Sequence, residues 1–203
     1  MIGIIDYGMG NLRSVENALK ELRQPCLISG EKDELEACDR LILPGVGAFG
    51  DCMANIHERD LYDFILKEVK EGKPFLGICL GMQMLFESSA EKGETQGFGF
   101  LKGRIVRIDD PDVPVPEIGW NLLEWNRKNP LEKILSDHPY VYFVHSYYAS
   151  SMDEADLVAY AQYGKVRIPA LVEKNNVMGC QFHPEKSGAD GLKILKYFTE
   201  DFA

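Results

Sequence analysis

Short apolar runs alternate with segments of helical periodicity in the first half of the chain. Residues 2–5 form an apolar run that predicts a buried strand, and a glycine-containing turn follows at residues 8–11. The next segment predicts a helix with one apolar face at the i, i+3, i+4, i+7 spacing. The residues of that face are Val15, Ala18, Leu19 and Leu22. Further strands are predicted at 26–29, 41–43 and 74–78, and helices at 33–37 and 61–71.

Strand-like stretches with few helices between them dominate the chain after about residue 98. They lie at residues 103–108, 140–144, 157–163, 170–173 and 177–182, and a last helix is predicted at 192–198. A proline-rich segment at 111–116 marks the change but is too short for a domain linker. We therefore expect one domain, residues 1–203, with an α/β fold of three layers: a mostly parallel central sheet flanked by helices, with an antiparallel extension in the second half.

Composition and charge exclude several classes of protein. Hydrophobic residues make up 45% of the 203 residues and charged residues 27%, which excludes a disordered chain. There is no run of about 18 apolar residues, and the N-terminus lacks the basic region of a secretory signal, so we expect a cytoplasmic protein without a membrane partner. The net charge of −10 and the lack of a Lys/Arg cluster argue against a nucleic acid partner.

Five cysteines are dispersed along the chain, and their odd number and spacing indicate reduced thiols. Cys79 differs from the others because it lies in Gly77-Ile78-Cys79-Leu80-Gly81, between an apolar strand and a helix-compatible run. A strand that turns abruptly into a helix at a nucleophile needs small residues two positions before and after it. Most cysteines are simply small buried hydrophobes, but this context favours a nucleophile.

The position of Cys79 has two chemical consequences. The positive end of the following helix favours the thiolate form, and the free backbone N–H of Leu80 can donate to an oxyanion. The loop Pro44-Gly45-Val46-Gly47 offers a second donor, because its glycines allow a backbone N–H to face the same point directly or after a peptide rotation. An ordinary tight turn is the alternative interpretation of this loop.

A nucleophilic thiol needs a base, and the base needs a group that orients it. His183 follows the apolar run 177–182, at a strand end of the kind where open α/β sheets build their sites. Glu185 stands two residues later, so its carboxylate can fold back onto the far imidazole nitrogen. We therefore predict a triad of Cys79, His183 and Glu185. The remaining histidines are His57 in a polar helical stretch, His138 in a loop, and His145 at a strand end that serves either the core or the site.

These segments together resemble the class I, or triad-type, glutamine amidotransferases, and within that family the glutaminase subunits of imidazole glycerol phosphate synthase. The elbow at Cys79 and the His183-Pro184-Glu185 sequence are typical of the whole family. The resemblance covers residues 2 to about 191. The other matching segments are DYGMGN at 6–11, LPGVGAF at 43–49, GWN at 119–121, YFVHSY at 142–147 and GCQFHPEKS at 179–187.

The resemblance implies a mechanism and a set of site residues. Cys79 would attack the side-chain amide of L-glutamine and form a glutamyl thioester. His183 would protonate the departing ammonia and later activate water, while Glu185 orients His183. Gly47 and Leu80 would lie near the oxyanion. The amino and carboxylate groups of the substrate would be held by Gln83, Glu91, Ser146 and Tyr147.

The implied partner is a synthase subunit with a (β/α)₈ barrel, which forms a heterodimer with the glutaminase and consumes the ammonia. In similar enzymes the glutaminase is nearly idle until the barrel binds its nucleotide ligand, and the loop 44–47 is a candidate for this switch. The interface is expected near Asn11, Trp120 and the loop ends around the site. No metal and no bound cofactor are expected.

One segment departs from the family pattern, because Glu117 and Ile118 stand where many members have His and Met. The departure leaves the partner barrel open, since related pairs make aminated sugars for surface polysaccharides. Three other interpretations also stay open. They are an amidotransferase of anthranilate, guanylate or pyridoxal phosphate synthesis, a free-standing γ-glutamyl hydrolase, and a non-catalytic regulatory subunit.

Overall fold

The elements of the computed structural model, which describes residues 1–202, follow the apolar pattern of the chain. Within these residues the helices are α1 (Leu12–Glu21), α2 (Lys32–Glu36), α3 (Phe49–Glu58), α4 (Leu61–Lys70), α5 (Leu80–Gln83) and α6 (Gly188–Glu200). The strands are β1 (Ile2–Ile5), β2 (Cys26–Ser29), β3 (Arg40–Gly45), β4 (Phe75–Cys79), β5 (Phe86–Ser89), β6 (Thr95–Gln96), β7 (Leu101–Arg107), β8 (Glu117–Leu122), β9 (Glu124–Trp125), β10 (Tyr140–His145), β11 (Tyr147–Ser150), β12 (Leu157–Tyr163), β13 (Val166–Lys174) and β14 (Val177–Cys180). Two short 3₁₀ helices are Pro130–Lys133 and Pro184–Lys186. In the described part of the chain, no helix has the length and apolar character that a membrane crossing requires.

The largest sheet has the strand order β2-β1-β3-β4-β14-β13-β12-β9. Neighbours from β2 to β14 in this order are parallel, whereas β13, β12 and β9 continue the sheet with antiparallel pairing. The central strands β4 and β14 are buried along their whole length, as expected where helices cover both faces of a parallel sheet. The predicted fold class, a mostly parallel sheet with an antiparallel extension, is confirmed.

Two apolar cores lie on opposite faces of this sheet, because successive strand residues point to opposite sides. On β3, Ile42 packs in one core with α1 and α6. Leu41 and Leu43 pack in the other core with α3 and α4. All three side chains are fully buried. The helices and the sheet therefore form three layers.

Two smaller sheets build a wall beside the main one. One has the order β11-β7-β5-β6, and the other is the antiparallel pair of β8 and β10. The backbone N–H of His183, just beyond β14, donates to the Tyr142 carbonyl of β10 over 2.9 Å. This bond fixes the β8–β10 pair against the edge of the main sheet where the strands end.

Several local predictions differ from the structure, among them the following three. The third strand extends to Gly45, so half of the loop 44–47 belongs to the sheet, because Pro44 and Gly45 pair with β4. Helix α3 was predicted only at its end, around His57, although its buried residues have helical spacing (Phe49, Cys52, Met53 and Ile56). The helix after Cys79 is a single turn, and β5 begins at Phe86. Short apolar runs suit a helix and a strand equally, so packing decided the outcome.

Candidate active site

Cys79 is the last residue of β4, at the centre of the main sheet. Because β3 and β14 flank β4 in parallel, the carboxyl ends of three strands meet at this edge. The backbone of Cys79 has φ 55° and ψ −113°, a conformation that L-residues rarely adopt. The chain turns there directly into α5, so the thiol lies at the tip of a sharp, strained turn.

Gly77 and Gly81 make this turn possible. A Cβ atom on Gly81 would lie 1.8 Å from the carbonyl oxygen of Leu43, and one on Gly77 would lie 2.6 Å from the carbonyl oxygen of Gly81. Both neighbours are backbone atoms of the central sheet and its turn, so no change of rotamer could relieve the contacts. Glycine is required two positions before and two positions after the thiol.

His183 and Glu185 follow β14 on the adjacent strand end. Glu185 lies in the 3₁₀ helix Pro184–Lys186, which turns its carboxylate back towards the imidazole. Nδ1 of His183 is 2.8 Å from Oε1 of Glu185, and both side chains are buried. Since a carboxylate accepts hydrogen bonds, Nδ1 carries a proton and Nε2 is the nitrogen left for the thiol.

The charge of His183 is set by its neighbours. Burial by itself lowers the pKa of His183, but hydrogen bonds with Cys79 and Glu185, together with their negative charges, outweigh it and raise the pKa to about 9. His183 is therefore an imidazolium at neutral pH. The structure thus brings the three residues of the predicted triad together, although Cys79 ends β4 and His183 follows β14.

A cavity of about 340 Å³ opens next to the thiol. All the predicted site residues except Glu185 line it, and Glu185 lies behind His183. The cavity has four further lining residues that the predicted set lacks: Val46, Pro116, Val144 and His145. Among residues 1–202, no three His, Cys, Asp or Glu side chains are arranged to hold a metal ion.

Gln83 connects the cavity wall to the nucleophile. Its side-chain amide donates to the carbonyl oxygen of Tyr147 over 2.9 Å and to Oε1 of Gln181 over 3.0 Å. The amide of Gln181 in turn lies 3.9 Å from the Cys79 sulfur. Gln181 was not among the predicted site residues. Its position directly after the end of β14 and two residues before His183 is the sequence feature that could have indicated it.

Glu91 reaches the cavity from the loop after β5. Its Oε2 accepts a hydrogen bond of 2.8 Å from the backbone N–H of Phe49, the first residue of α3. The carboxylate thereby satisfies one of the free N–H groups at that helix start. Glu91 therefore anchors α3 as well as lining the cavity.

The sequence left open whether His145 belongs to the core or to the site. In the structure His145 is both buried and part of the cavity wall. Its cross-strand partner on β8 is Glu117, one of the two residues noted above as departing from the family pattern. Nε2 of His145 is 3.0 Å from Oε2 of Glu117, and Nδ1 is 2.9 Å from the carbonyl oxygen of Tyr147. The buried Glu117 carboxylate thus lies next to His145 behind the wall formed by residues 145–147.

Comparisons with known proteins show the family to which the chain belongs. A family model described as glutamine amidotransferase class-I matches residues 3–201. A solved structure described as a glutamine amidotransferase has a TM-score of 0.77 and 24% identity, over 98% of this chain and 97% of its own. The structure of PurLQS from Thermotoga maritima has a TM-score of 0.75 and 22% identity, over 98% of this chain and 96% of that one. At these identities the two structures show only that the chain shares their fold.

Comparison with curated relatives identifies a narrower family within this class. The chain is 51% identical to the imidazole glycerol phosphate synthase subunit HisH of Bacillus velezensis, over 98% of this chain and 96% of that protein. It is 50% identical to the subunit HisH of Lactococcus lactis, over 98% of both chains. The chain therefore belongs to the class I glutamine amidotransferases and, within them, to the family of HisH subunits of imidazole glycerol phosphate synthase.

Proposed function

We propose that this chain hydrolyses L-glutamine to glutamate and ammonia with Cys79, His183 and Glu185 as its catalytic triad. The observation that carries the proposal is the pairing of His183 with Glu185 at 2.8 Å next to the thiol of a strained elbow, on the wall of a cavity. As a HisH family member, the chain passes the ammonia to the synthase subunit that makes imidazole glycerol phosphate and AICAR in histidine biosynthesis.

In the first half of the reaction, Cys79 attacks the substrate and ammonia leaves. The Cys79 thiolate attacks the amide carbon of the substrate side chain, and negative charge develops on the carbonyl oxygen. Backbone N–H groups of Leu80 and Gly47 stabilise that oxyanion. The His183 imidazolium then donates its Nε2 proton to the leaving nitrogen, so that ammonia departs and a glutamyl thioester forms.

The second half reverses the roles of His183. Nε2, now unprotonated, removes a proton from water as the water oxygen attacks the thioester carbonyl. Collapse of this second intermediate releases glutamate and restores the thiolate and the imidazolium. Glu185 holds Nδ1 throughout, so that Nε2 always faces the reacting atoms.

The substrate's polar ends meet the cavity wall. We assign the binding of its amino and carboxylate groups to Gln83, Glu91, Ser146 and Tyr147, which all line the cavity. The carboxylate of Glu91 suits an ammonium group. The contacts of Gln83 with Tyr147 hold this wall in one arrangement before substrate arrives.

The partner is the synthase subunit, which we expect to be a (β/α)₈ barrel joined to this chain as a heterodimer. Apolar side chains exposed on β8, which pairs with the cavity-lining strand β10, offer a docking face, since Ile118 is 64% and Trp120 55% exposed. Pro116, directly before β8, lines the cavity. A barrel seated there would receive ammonia without its passage through bulk water.

We further propose that residues 1–203 act as a single domain in the cytoplasm. The family model covers residues 3–201 without a break, which supports one domain. The five cysteines are all free, which suits a reducing compartment. Subcellular fractionation tests the location, and limited proteolysis tests the single domain.

The decisive experiment measures glutamate release from L-glutamine by the chain alone and by the chain with the synthase subunit and its nucleotide ligand. Activity that rises in the complex and vanishes in Cys79→Ala supports the triad and the partner. Cys26→Ala is the matched control, because Cys26 is a half-buried cysteine on the edge strand β2 and should leave the rate unchanged. High activity without a partner would point to a free-standing hydrolase instead.

A further inference from the structure

Two buried side chains hold the loop 44–47 from behind. The hydroxyl of Tyr7 donates to the carbonyl oxygen of Pro44 over 2.9 Å, and the thiol of Cys52 lies 3.4 Å from the carbonyl oxygen of Val46. Tyr7 and Cys52 are fully buried, whereas Val46 and Gly47 line the cavity. The loop therefore lies between a buried hydrogen-bonding pair and the candidate active site.

Tyr7 and Cys52 each have one side-chain proton, so each donates a single hydrogen bond to its better acceptor. Tyr7 has one hydroxyl proton, and Pro44 oxygen at 2.9 Å is a closer and better acceptor than Cys52 sulfur at 3.5 Å. Cys52 also has one proton, and Val46 oxygen at 3.4 Å is a better acceptor than the Met9 sulfur at 3.7 Å. Burial raises the pKa of the Cys52 thiol, so the proton stays on the sulfur.

Because the peptide group is planar, the hydrogen bond between Cys52 and the Val46 carbonyl also fixes the direction of the Gly47 N–H. In a trans peptide the C=O of one residue and the N–H of the next point in opposite directions. The Val46 carbonyl points at a thiol that has no surface open to the cavity. The N–H of Gly47 in the same peptide group therefore points the other way, to the side where Gly47 lines the cavity.

We propose that Cys52 is a positioning residue, whose S–H···O bond to Val46 keeps the Gly47 N–H aimed at the oxyanion that forms on Cys79. The inference rests on the proposed function, in which this N–H is an oxyanion donor. Tyr7 supports the same segment two peptide groups earlier, so both carbonyls that flank the Gly45–Val46 peptide are held. A cysteine that only filled space in the core would have no effect on the chemistry beyond its effect on stability.

The test compares Cys52→Ala, which removes the donor, with Cys52→Ser, which keeps one. Steady-state glutamine hydrolysis is measured in the complex with the synthase subunit and its ligand. We expect Cys52→Ala to lower kcat about three- to tenfold with an unchanged KM, as for the loss of one hydrogen bond that acts in the transition state. Cys52→Ser should keep at least half of the wild-type kcat.

Cys38→Ala is the matched control. Cys38 is also buried in the core that contains Cys52, and its thiol lies 3.3 Å from the carbonyl oxygen of Glu34, far along the chain from the site. Its loss should lower the melting temperature as much as Cys52→Ala does, without a change in kcat. The two variants separate stability from positioning.

Three results would overturn the proposal. They are an unchanged kcat in Cys52→Ala, a rise in KM with constant kcat, and equal impairment of the Ala and Ser variants. Failure of the proposed function would look different, because wild-type complex would then release no glutamate, or Cys79→Ala would still release it.

Discussion

Nε2 of His145 lies 3.0 Å from Oε2 of Glu117, and the two residues are direct cross-strand partners of β10 and β8. Nδ1 of His145 faces the carbonyl oxygen of Tyr147, which only accepts hydrogen bonds, so Nδ1 carries a proton. The amide of Asn121 donates to the other Glu117 oxygen over 3.0 Å. Both members of the pair are almost fully buried, so neither can exchange its partner for water.

Replacement of Glu117 by alanine should lower the free energy of unfolding by about 3 kcal/mol, because it leaves the buried imidazole of His145 without its carboxylate and removes one of the two acceptors of the Asn121 amide. Glu117→Gln keeps the shape and an acceptor, and should cost about 1 kcal/mol. Urea denaturation measures both. Glu154→Ala, which breaks the exposed ion pair with Arg167, is the control, with an expected cost of about 0–1 kcal/mol. Equal losses in Glu117→Ala and Glu154→Ala would contradict a structural role of the buried pair.

Alanine at Gly81 should destabilise the protein by about 3 kcal/mol or more, or prevent folding, because its Cβ would overlap the Leu43 carbonyl of the sheet. Gly50→Ala is the matched variant. Its Cβ would lie 3.5 Å from Oγ1 of Thr95, an ordinary contact, and the position is helical, so we expect a gain of about 0.5–1 kcal/mol. Thermal unfolding of the two variants checks the difference in sign. Similar melting temperatures would show that the elbow tolerates a side chain.

The stability of the protein should depend on pH through His183. Its pKa rises from 6.5 to about 9 in the fold, so its contribution is fully present below pH 6.5 and is lost as the pH rises through about 9. The melting temperature of the wild-type protein should therefore decrease more between these pH values than that of His183→Gln or Cys79→Ala. His57→Gln, at an exposed position of α3, should follow the wild type. Parallel curves for all four proteins would exclude a stabilising interaction of the His183 imidazolium with Cys79.

Glu185→Gln should lower kcat for glutamine hydrolysis about 10²- to 10⁴-fold, with a small effect on KM. The amide still reaches Nδ1 of His183 but no longer supplies the negative charge that supports the imidazolium. Rates are measured in the complex at saturating glutamine. Glu200→Gln, which removes an exposed charge paired with Lys196 at the end of α6, should retain the wild-type kcat. Full activity in Glu185→Gln would remove Glu185 from the proposed mechanism.

Much of the fold follows from local patterns. The strands at residues 2–5, 26–29 and 157–163 were predicted with the bounds that the structure has, because short, mainly apolar runs are clear even in a single sequence. The helix at 192–198 was predicted too short, since α6 begins at Gly188, where its first turn is polar. Bounds of this kind depend on capping and packing, which the apolar period does not report.

In the candidate site, too, some features could be predicted from local patterns and others could not. The glycines around Cys79 and the two-residue step from His183 to Glu185 are short-range features, so the residue types alone indicated a nucleophile and an oriented base. The use of Gln181 and of the Glu117–His145 pair was not indicated, because each depends on a neighbour far away in the sequence. Their partners become neighbours only through strand order.

By itself, then, the sequence determined the alternation of strands and helices, the elbow that exposes Cys79, and the local pairing of His183 with Glu185, because each depends on residues only a few positions apart. Only the tertiary structure decided that β14 lies beside β4 and so brings His183 to the thiol. It also decided that Cys52 and Tyr7 lie behind the loop 44–47. The physical reason is that such contacts are made by strand pairing and by burial against a shared core, which join segments with no local pattern in common.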